Sequence, residues 1–270
     1  MNPDIYSRKP LKNINGIPVF SKQDRYTQNY EKISEDHLQV FLNEGRNPFM
    51  KEDHIVECET STEDLVRKYT KTNDIILDVG VGMGRILSKF PELKRYGLDI
   101  SFKYLEYAQK QGIDVCYSRI EDMPYKLDIF DLVVCTDVLE HVLDLSASLA
   151  KIISVMKSEG ILIIRVPYKE DLEHYLDPTY PYQYVHLRNF DENNLRLLFE
   201  RVHNLAWVES SFTGYTRGYL KFRFFSKKID RLLSYAFCNL FKFYKPLYNF
   251  VKIKLHQPLE INVVLRKKIL

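Results

Sequence analysis

The stretch Ile75-Ile76-Leu77-Asp78-Val79-Gly80-Val81-Gly82-Met83-Gly84 decides how the rest of the chain is read. Its first residues form the short apolar run of a buried strand, and the run stops at three glycines in alternate positions. Without Cβ atoms, such a turn lets backbone N–H groups approach a ligand closely. The following Arg85-Ile86-Leu87-Ser88-Lys89-Phe90 reads as a short helix whose N-terminus faces the same point. Strand, glycine turn and helix make the nucleotide-binding unit of an open α/β sheet, with the ligand at the carboxyl end of the strand.

The spacing separates two ligands. A dinucleotide fingerprint reads G-x-G-x-x-G, and here Arg85 stands where the third glycine belongs. Asp78 also ends the strand close to where a pyrophosphate would sit. A carboxylate there repels phosphate and suits a cation or an ammonium group. S-adenosylmethionine, with a sulfonium, an amino group, one carboxylate and no phosphate, fits that description better than a nicotinamide dinucleotide. The phrase formed by Asp78, Gly80, Gly82 and Gly84, with Val79 between the first two, resembles the first motif of the class I S-adenosylmethionine-dependent methyltransferases.

Working outward, Arg95 to Ile100 reads as a second strand with Asp99 near its tip, 21 positions beyond Asp78. An acid about 20 residues on can accept both hydroxyl protons of a ribose. Ser101 then caps a helix through Gln111, closed by Gly112. Asp114 to Tyr117 is a third strand, followed by Arg119 and Ile120. The family often carries an acid directly before the small apolar residue at this place. Arg119 stands there instead, which leaves Ile120 to supply backbone and apolar contact to the adenine.

Phe130 to Cys135 gives a fourth strand, and Thr136-Asp137-Val138-Leu139-Glu140-His141-Val142 follows it. This phrase resembles the edge of the methyl-transfer pocket in the small-molecule branch of the family. The resemblance implies that Asp137, with Val138 beside it, borders the sulfonium. His141 is a candidate base for an acceptor hydroxyl, because imidazole titrates near neutrality. A structural histidine at a helix start is the competing reading. Leu145, Leu149, Ile152, Ile153 and Met156 then mark an amphipathic helix, and Ile161 to Val166 a fifth strand.

Tyr168 to Phe190 holds five tyrosines (168, 175, 180, 182 and 184) with His174 and His186. The run His186-Leu187-Arg188-Asn189-Phe190 resembles the H-x-R-x-F phrase of methyltransferases in bacterial glycan and lipid pathways. His186 is the second candidate base, and the tyrosines suit a sugar or aromatic acceptor or simply cover a core. Leu195, Leu198, Phe199 and Val202 form a further helical stripe, Leu205 to Phe212 a sixth strand and Glu260 to Arg266 a seventh. Alternation of strands and helices argues a doubly wound, Rossmann-like parallel sheet. The resemblance makes it seven-stranded, with one antiparallel strand and a helical insertion before that last strand.

Three parts are expected: residues 1–60 as an N-terminal extension or lid, 61–214 with 257–270 as the methyltransferase domain, and 215–256 as a basic aromatic helical insertion. In the first, Tyr26 to Asn43 suits a helix, and at the start of the second Ser61 with Asp64 forms a capping box for a helix from Thr62 to Tyr69. Between Arg217 and His256 lie ten lysines and arginines against the single acid Asp230, although the whole chain carries only +3. Apolar residues from Phe225 to Val251 keep a helical period around a break at Pro246. That composition is one of a membrane-surface helix or of a helical hairpin packed on the protein.

No recognisable nucleic-acid module accompanies the basic segment, so no nucleic-acid partner is expected. The four cysteines, Cys58, Cys116, Cys135 and Cys238, show no C-x-x-C pair, so neither a disulfide framework nor a zinc site is expected and no metal is assigned. A reducing cytoplasm suits them, the start of the chain lacks a signal peptide's apolar core, and no uncharged run spans a bilayer. Taken together, the resemblance implies O-methylation of a small-molecule, glycan or lipid-linked acceptor with S-adenosylmethionine as cofactor. The rival readings are a non-catalytic membrane or partner-binding module on the same fold and a nicotinamide-dependent oxidoreductase.

Overall fold

The computed structural model describes residues 3–220, 226–240 and 252–269. At its centre lies β3 (Ile75–Val79), flanked in parallel by β4 (Lys94–Asp99) and β6 (Phe130–Thr136). Strand alternation sends Leu77 and Val79 into one core and Ile76 into the other, so the strand is apolar along almost its whole length. Outward from β4 come β5 (Asp114–Tyr117), β2 (Ile17–Val19) and β1 (Lys12–Ile14). Outward from β6 come β7 (Met156–Pro167), β9 (His256–Lys267) and β8 (Leu205–Leu220), with β9 antiparallel to both of its neighbours.

The expected doubly wound sheet is present, but with nine strands among the described residues rather than seven. The added pair is a hairpin, β1–β2, turned by Asn15 and Gly16 at φ 51° and 81°. Those positive angles are what a two-residue hairpin turn requires. Ile17 and Val19 are buried, and Val19 registers with Tyr117 of β5, which extends the sheet beyond the expected edge.

Helix α1 (Arg25–Glu44) matches its expected position, capped by Asp24, whose side chain accepts from the Thr27 N–H. Helix α2 (Glu52–Tyr69) corrects the capping-box expectation: it begins ten residues before Thr62 and runs unbroken through residues 60 and 61. Its buried stripe of Ile55, Cys58, Thr62 and Val66 keeps a three-to-four spacing from the first turn. Ser61 lies inside the helix and donates back to the Cys58 carbonyl at 2.7 Å. The short helix expected after Gly84 is a single 3-10 turn, Leu87–Lys89. Ile86, Leu87 and Phe90 all bury, and Pro91 keeps the preceding residue out of the helical region.

Helix α3 (Phe102–Lys110) follows Ser101, which caps it as expected, and α4 (Leu145–Val155) is capped by Asp144. After α5 (Glu192–Arg196) the chain widens into a π-type turn over Leu197–Val202. The wider turn breaks the expected stripe: Leu195 and Phe199 are buried, whereas Val202 is exposed. In the expected insertion, α6 (Lys227–Leu240) and helical residues 252–255 are described. Lys221, Arg223, Phe225, Phe241, Lys242, Tyr244, Lys245, Pro246, Leu247, Tyr248 and Val251 lie outside the described residues. Among the described residues no helix is long and apolar enough to cross a membrane. Cys58, Cys116 and Cys135 are buried free thiols.

Candidate functional site

The carboxyl ends of β3, β4, β5 and β6 open into a cavity of about 1460 Å³. Gly80 and Gly82 form its floor at φ 78° and 52°, a region that strains any residue with a Cβ. A Cβ on Gly80 would come within 2.3 Å of the Val138 side chain, so this turn is closed against the segment that follows β6 as well as bent. Asp99 holds the turn: its Oδ2 accepts from the Gly82 N–H at 3.0 Å, and its Oδ1 accepts from Ile100 at 2.7 Å and Ser101 at 3.0 Å. Burial raises the Asp99 carboxyl to about 6, although those three N–H groups oppose the rise.

Of the residues singled out in the sequence, Gly80, Gly82, Asp99, Ile100, Arg119 and Ile120 line this cavity. So do Asp137, Val138, His141 and His186. Asp78, Val79 and Gly84 stand behind the wall. Gly84 meets Ala108 and Ile113 and so serves close packing of the turn on α3. Asp78 is 3% exposed, and its Oδ1 has no hydrogen-bond partner. Burial first, then the Asp99 charge, raises its carboxyl well above the usual range.

Two side chains reach the cavity already engaged. Arg119 donates from Nη1 to Asp24 Oδ2 at 2.6 Å and lies over the Tyr26 ring, tying the start of α1 to the domain. Asp137, at φ 56°, is gripped by Arg165, with Nη2–Oδ2 at 2.5 Å and Nε–Oδ1 at 3.3 Å. The negative charge expected at the sulfonium edge is therefore compensated by a buried guanidinium. Sequence reasoning missed Arg165, because a charged residue inside a β-branched strand carries no local mark of its partner.

The roof comes from α1 and from the tyrosine segment. Asn29 Nδ2 donates to the Tyr184 carbonyl at 2.9 Å, and the Tyr182 hydroxyl donates to Asp36 at 2.9 Å. Tyr30 sets its ring edge-on to His141, with centroids 5.5 Å apart. Below α1, Ser101 donates to Ser34 at 2.6 Å and the Phe102 N–H donates to Glu31 at 2.8 Å.

The two candidate histidines, 45 positions apart in the chain, meet here with ring centroids 4.5 Å apart. Arg188 brings them together: its Nη1 donates to the carbonyls of Leu139 at 2.8 Å and Val142 at 2.5 Å. The Leu187 N–H adds a bond to the Glu140 carbonyl at 2.8 Å. His186 Nδ1 is hydrogen-bonded to Glu170, a residue the sequence did not suggest. His141 is drawn down to about 3, chiefly by burial and then by His186, so it is a neutral, weakly basic imidazole. Glu140 was also missed. It is 1% exposed, neither carboxylate oxygen has a hydrogen-bond partner, and burial followed by the Asp137 charge raises it well above the usual range.

Residues 70–201 match a family described as a methyltransferase domain. An uncharacterized protein of Methanocaldococcus jannaschii is 35% identical over 109 residues, which covers 40% of this chain and 48% of that protein. The chain thus spans about half the length of this curated relative. Among solved structures, the putative methyltransferase in complex with the Trm112 methyltransferase activator of Haloferax volcanii superposes with a TM-score of 0.59 at 15% identity. That match covers 92% of this chain and 100% of the other. The magnesium protoporphyrin IX methyltransferase of Synechocystis PCC 6803 with bound SAH gives 0.57 at 15% identity, covering 90% of this chain and 98% of that one.

Proposed function

We propose that this chain, which has the Rossmann-like methyltransferase fold, is a class I methyltransferase that transfers a methyl group from S-adenosylmethionine to an oxygen of a small-molecule, glycan or lipid-linked acceptor. One observation carries the reading: a Cβ-free turn, Gly80–Gly82, is pinned by Asp99 on the floor of a cavity large enough for both substrates. A turn of this kind suits a nucleoside that brings no phosphate, because the Asp99 carboxyl that pins it repels a phosphate once ionised. When bound, S-adenosylmethionine supplies an electrophilic methyl on its sulfonium.

Asp99 Oδ1 is filled by the Ile100 and Ser101 N–H groups, whereas Oδ2 meets only the Gly82 N–H and keeps a lone pair for a ribose hydroxyl. Backbone at Gly80 and Gly82, supported from behind by Asp78 and Val79, meets the methionine portion. Ile120 offers an apolar wall to the adenine, with Ile100 and the Arg119 backbone beside it. Asp137 and Val138 border the sulfonium. On the opposite side, His186 is oriented by Glu170, which leaves its Nε2 free to accept the acceptor's proton, with His141 as its neutral neighbour. These residues would seat the acceptor oxygen against the methyl carbon, whose bond to sulfur would break with its electrons returning to sulfur. Holding the pair in line, with water kept out by α1 and the tyrosine segment, supplies the main acceleration.

The tyrosine-lined roof supports an acceptor with a sugar or aromatic face. Peripheral contact with a membrane through residues 217–256 belongs to the same proposal. In the described part of α6, Asp230 and Ser234 are buried while Ile229 and Leu232 are exposed, the reverse of a helix that docks by its apolar face. Sedimentation with anionic liposomes at low salt tests that contact, and absence of binding removes it. Calorimetry with S-adenosylhomocysteine tests the function. Binding is expected, and no heat from a well-folded sample, or preference for a nicotinamide dinucleotide, overturns the reading.

A further inference from the structure

Glu140, His141 and His186 each present a ligand-type atom to a common point, all three within 4.8 Å of one another. A buried carboxyl group with no hydrogen-bond partner on either oxygen is costly to keep, since a desolvated polar group needs a partner. The Nδ1 atom of His141 is likewise buried without a partner. No described cation compensates Glu140 directly: Arg165 is spent on Asp137, Cys58 and Thr62, and Arg188 on three backbone carbonyls.

We infer that Glu140, His141 and His186 form a binding site for a divalent first-row transition cation on the acceptor side of the cavity. Two imidazoles and one carboxylate are the ligand set of zinc and of related borderline cations. The pairing of His186 Nδ1 with Glu170 is the second half of such a site. A metal-bound histidine ordinarily gives its other ring N–H to a carboxylate, which fixes the tautomer and leaves the opposite nitrogen as ligand. Bonds of about 2.0–2.1 Å hold ligand atoms roughly 3 to 3.5 Å apart, so the three side chains draw in by about an ångström on binding. Arg188, by locking the 139–143 carbonyls to the H-x-R-x-F segment, keeps ligands from two distant parts of the chain in reach.

Three protein ligands leave positions open toward the cavity. An acceptor hydroxyl reaching the cation gives up its proton to solvent at a lower pH than it would alone. The inference deepens the proposed transfer and rests on that reading for its role, although the binding site itself does not. It replaces proton acceptance by His186 with charge stabilisation by the cation and narrows the acceptor to one that offers an oxygen ligand.

The test uses the full chain stripped of metal by chelation and titrated with cobalt(II), followed by competition with zinc(II). Visible bands of a low-symmetry site, displaced by zinc, are expected for the native chain. Glu140→Gln and His186→Gln should each weaken zinc binding by at least ~10-fold, and Glu170→Gln by roughly 10- to 100-fold as an outer carboxylate. Circular dichroism on each variant establishes folding. A spectrum of aqueous cobalt alone, or equal binding by native chain and all folded variants, overturns the site. S-adenosylhomocysteine calorimetry on the same stripped samples reads the other reading separately. Heat for the nucleoside with no cobalt site defeats the cation only, and a cobalt site with no nucleoside heat defeats the methyltransferase reading only.

Discussion

Arg165 of β7 and Asp137, the residue just past the end of the neighbouring parallel strand β6, are joined twice, by side chain and by backbone. The guanidinium meets both carboxylate oxygens, and the Asp137 N–H donates to the Arg165 carbonyl at 3.0 Å. The same guanidinium reaches α2 through the Cys58 carbonyl at 2.9 Å and the Thr62 hydroxyl at 2.8 Å. One buried cation thus fixes the left-handed backbone at Asp137, this wall of the cavity and the helix behind it.

Removing that cation leaves an acid without its counter-charge and two acceptors on α2 without their donor. Arg165→Met is expected to lower unfolding free energy by about 3 kcal/mol, the scale for breaking a buried pair from one side. Asp137→Asn combined with Arg165→Met should recover part of it. Urea denaturation checks both, and a single-variant loss under about 1 kcal/mol would show the pair to be dispensable.

Asp99 carries the turn and, in the proposed function, the ribose. Asp99→Asn keeps one oxygen for the Gly82 N–H but loses charge-assisted acceptance, which is worth about 1.5–3 kcal/mol. S-adenosylhomocysteine affinity should fall by roughly 10- to 100-fold with the circular dichroism spectrum unchanged. Affinity within twofold of the native chain would remove Asp99 from the ribose.

The raised Asp99 carboxyl gives a pH signature of definite sign. Its folded value of about 6 lies above the ordinary 3.8, so its favourable contribution to stability is complete below the ordinary value and is lost as pH rises through about 6. The free protein should therefore lose stability relative to Asp99→Asn between pH 5 and pH 7. Nucleoside binding should move the other way, strengthening as the carboxylate forms. Melting curves and calorimetry at the two pH values read both, and parallel trends for the native chain and Asp99→Asn would count against the assignment.

The glycine turn separates backbone strain from ligand clearance. Gly82→Ala meets no atom within 4 Å and suffers only from its positive φ, so it should cost about 1 kcal/mol of stability. In the proposed function its methyl stands where the nucleoside approaches, and binding should fall sharply. Gly80→Ala adds a 2.3 Å clash with Val138 and should destabilise more. Urea midpoints rank the two, and a Gly82→Ala protein that still binds normally would move the ligand off the turn.

Much of this was legible in one dimension because the relevant forces are local. A continuous apolar run ending in glycines announces β3 and its turn, since only a buried parallel strand is apolar on both faces and only glycine takes those angles freely. Ser101 before α3 and the acid at the tip of β4 follow from capping and from strand-end geometry in the same way. Tertiary structure decided what depends on distant partners. The edge hairpin declared itself only when Val19 found Tyr117, and α2 began early because its upstream residues had a core to bury against. Asp137 gained a guanidinium from a strand 28 positions on, and Glu140, His141, His186 and Glu170 converged through an arginine that binds carbonyls. Hydrophobic period and backbone preference are written residue by residue, whereas the balance of buried charge is a property of what the fold brings together.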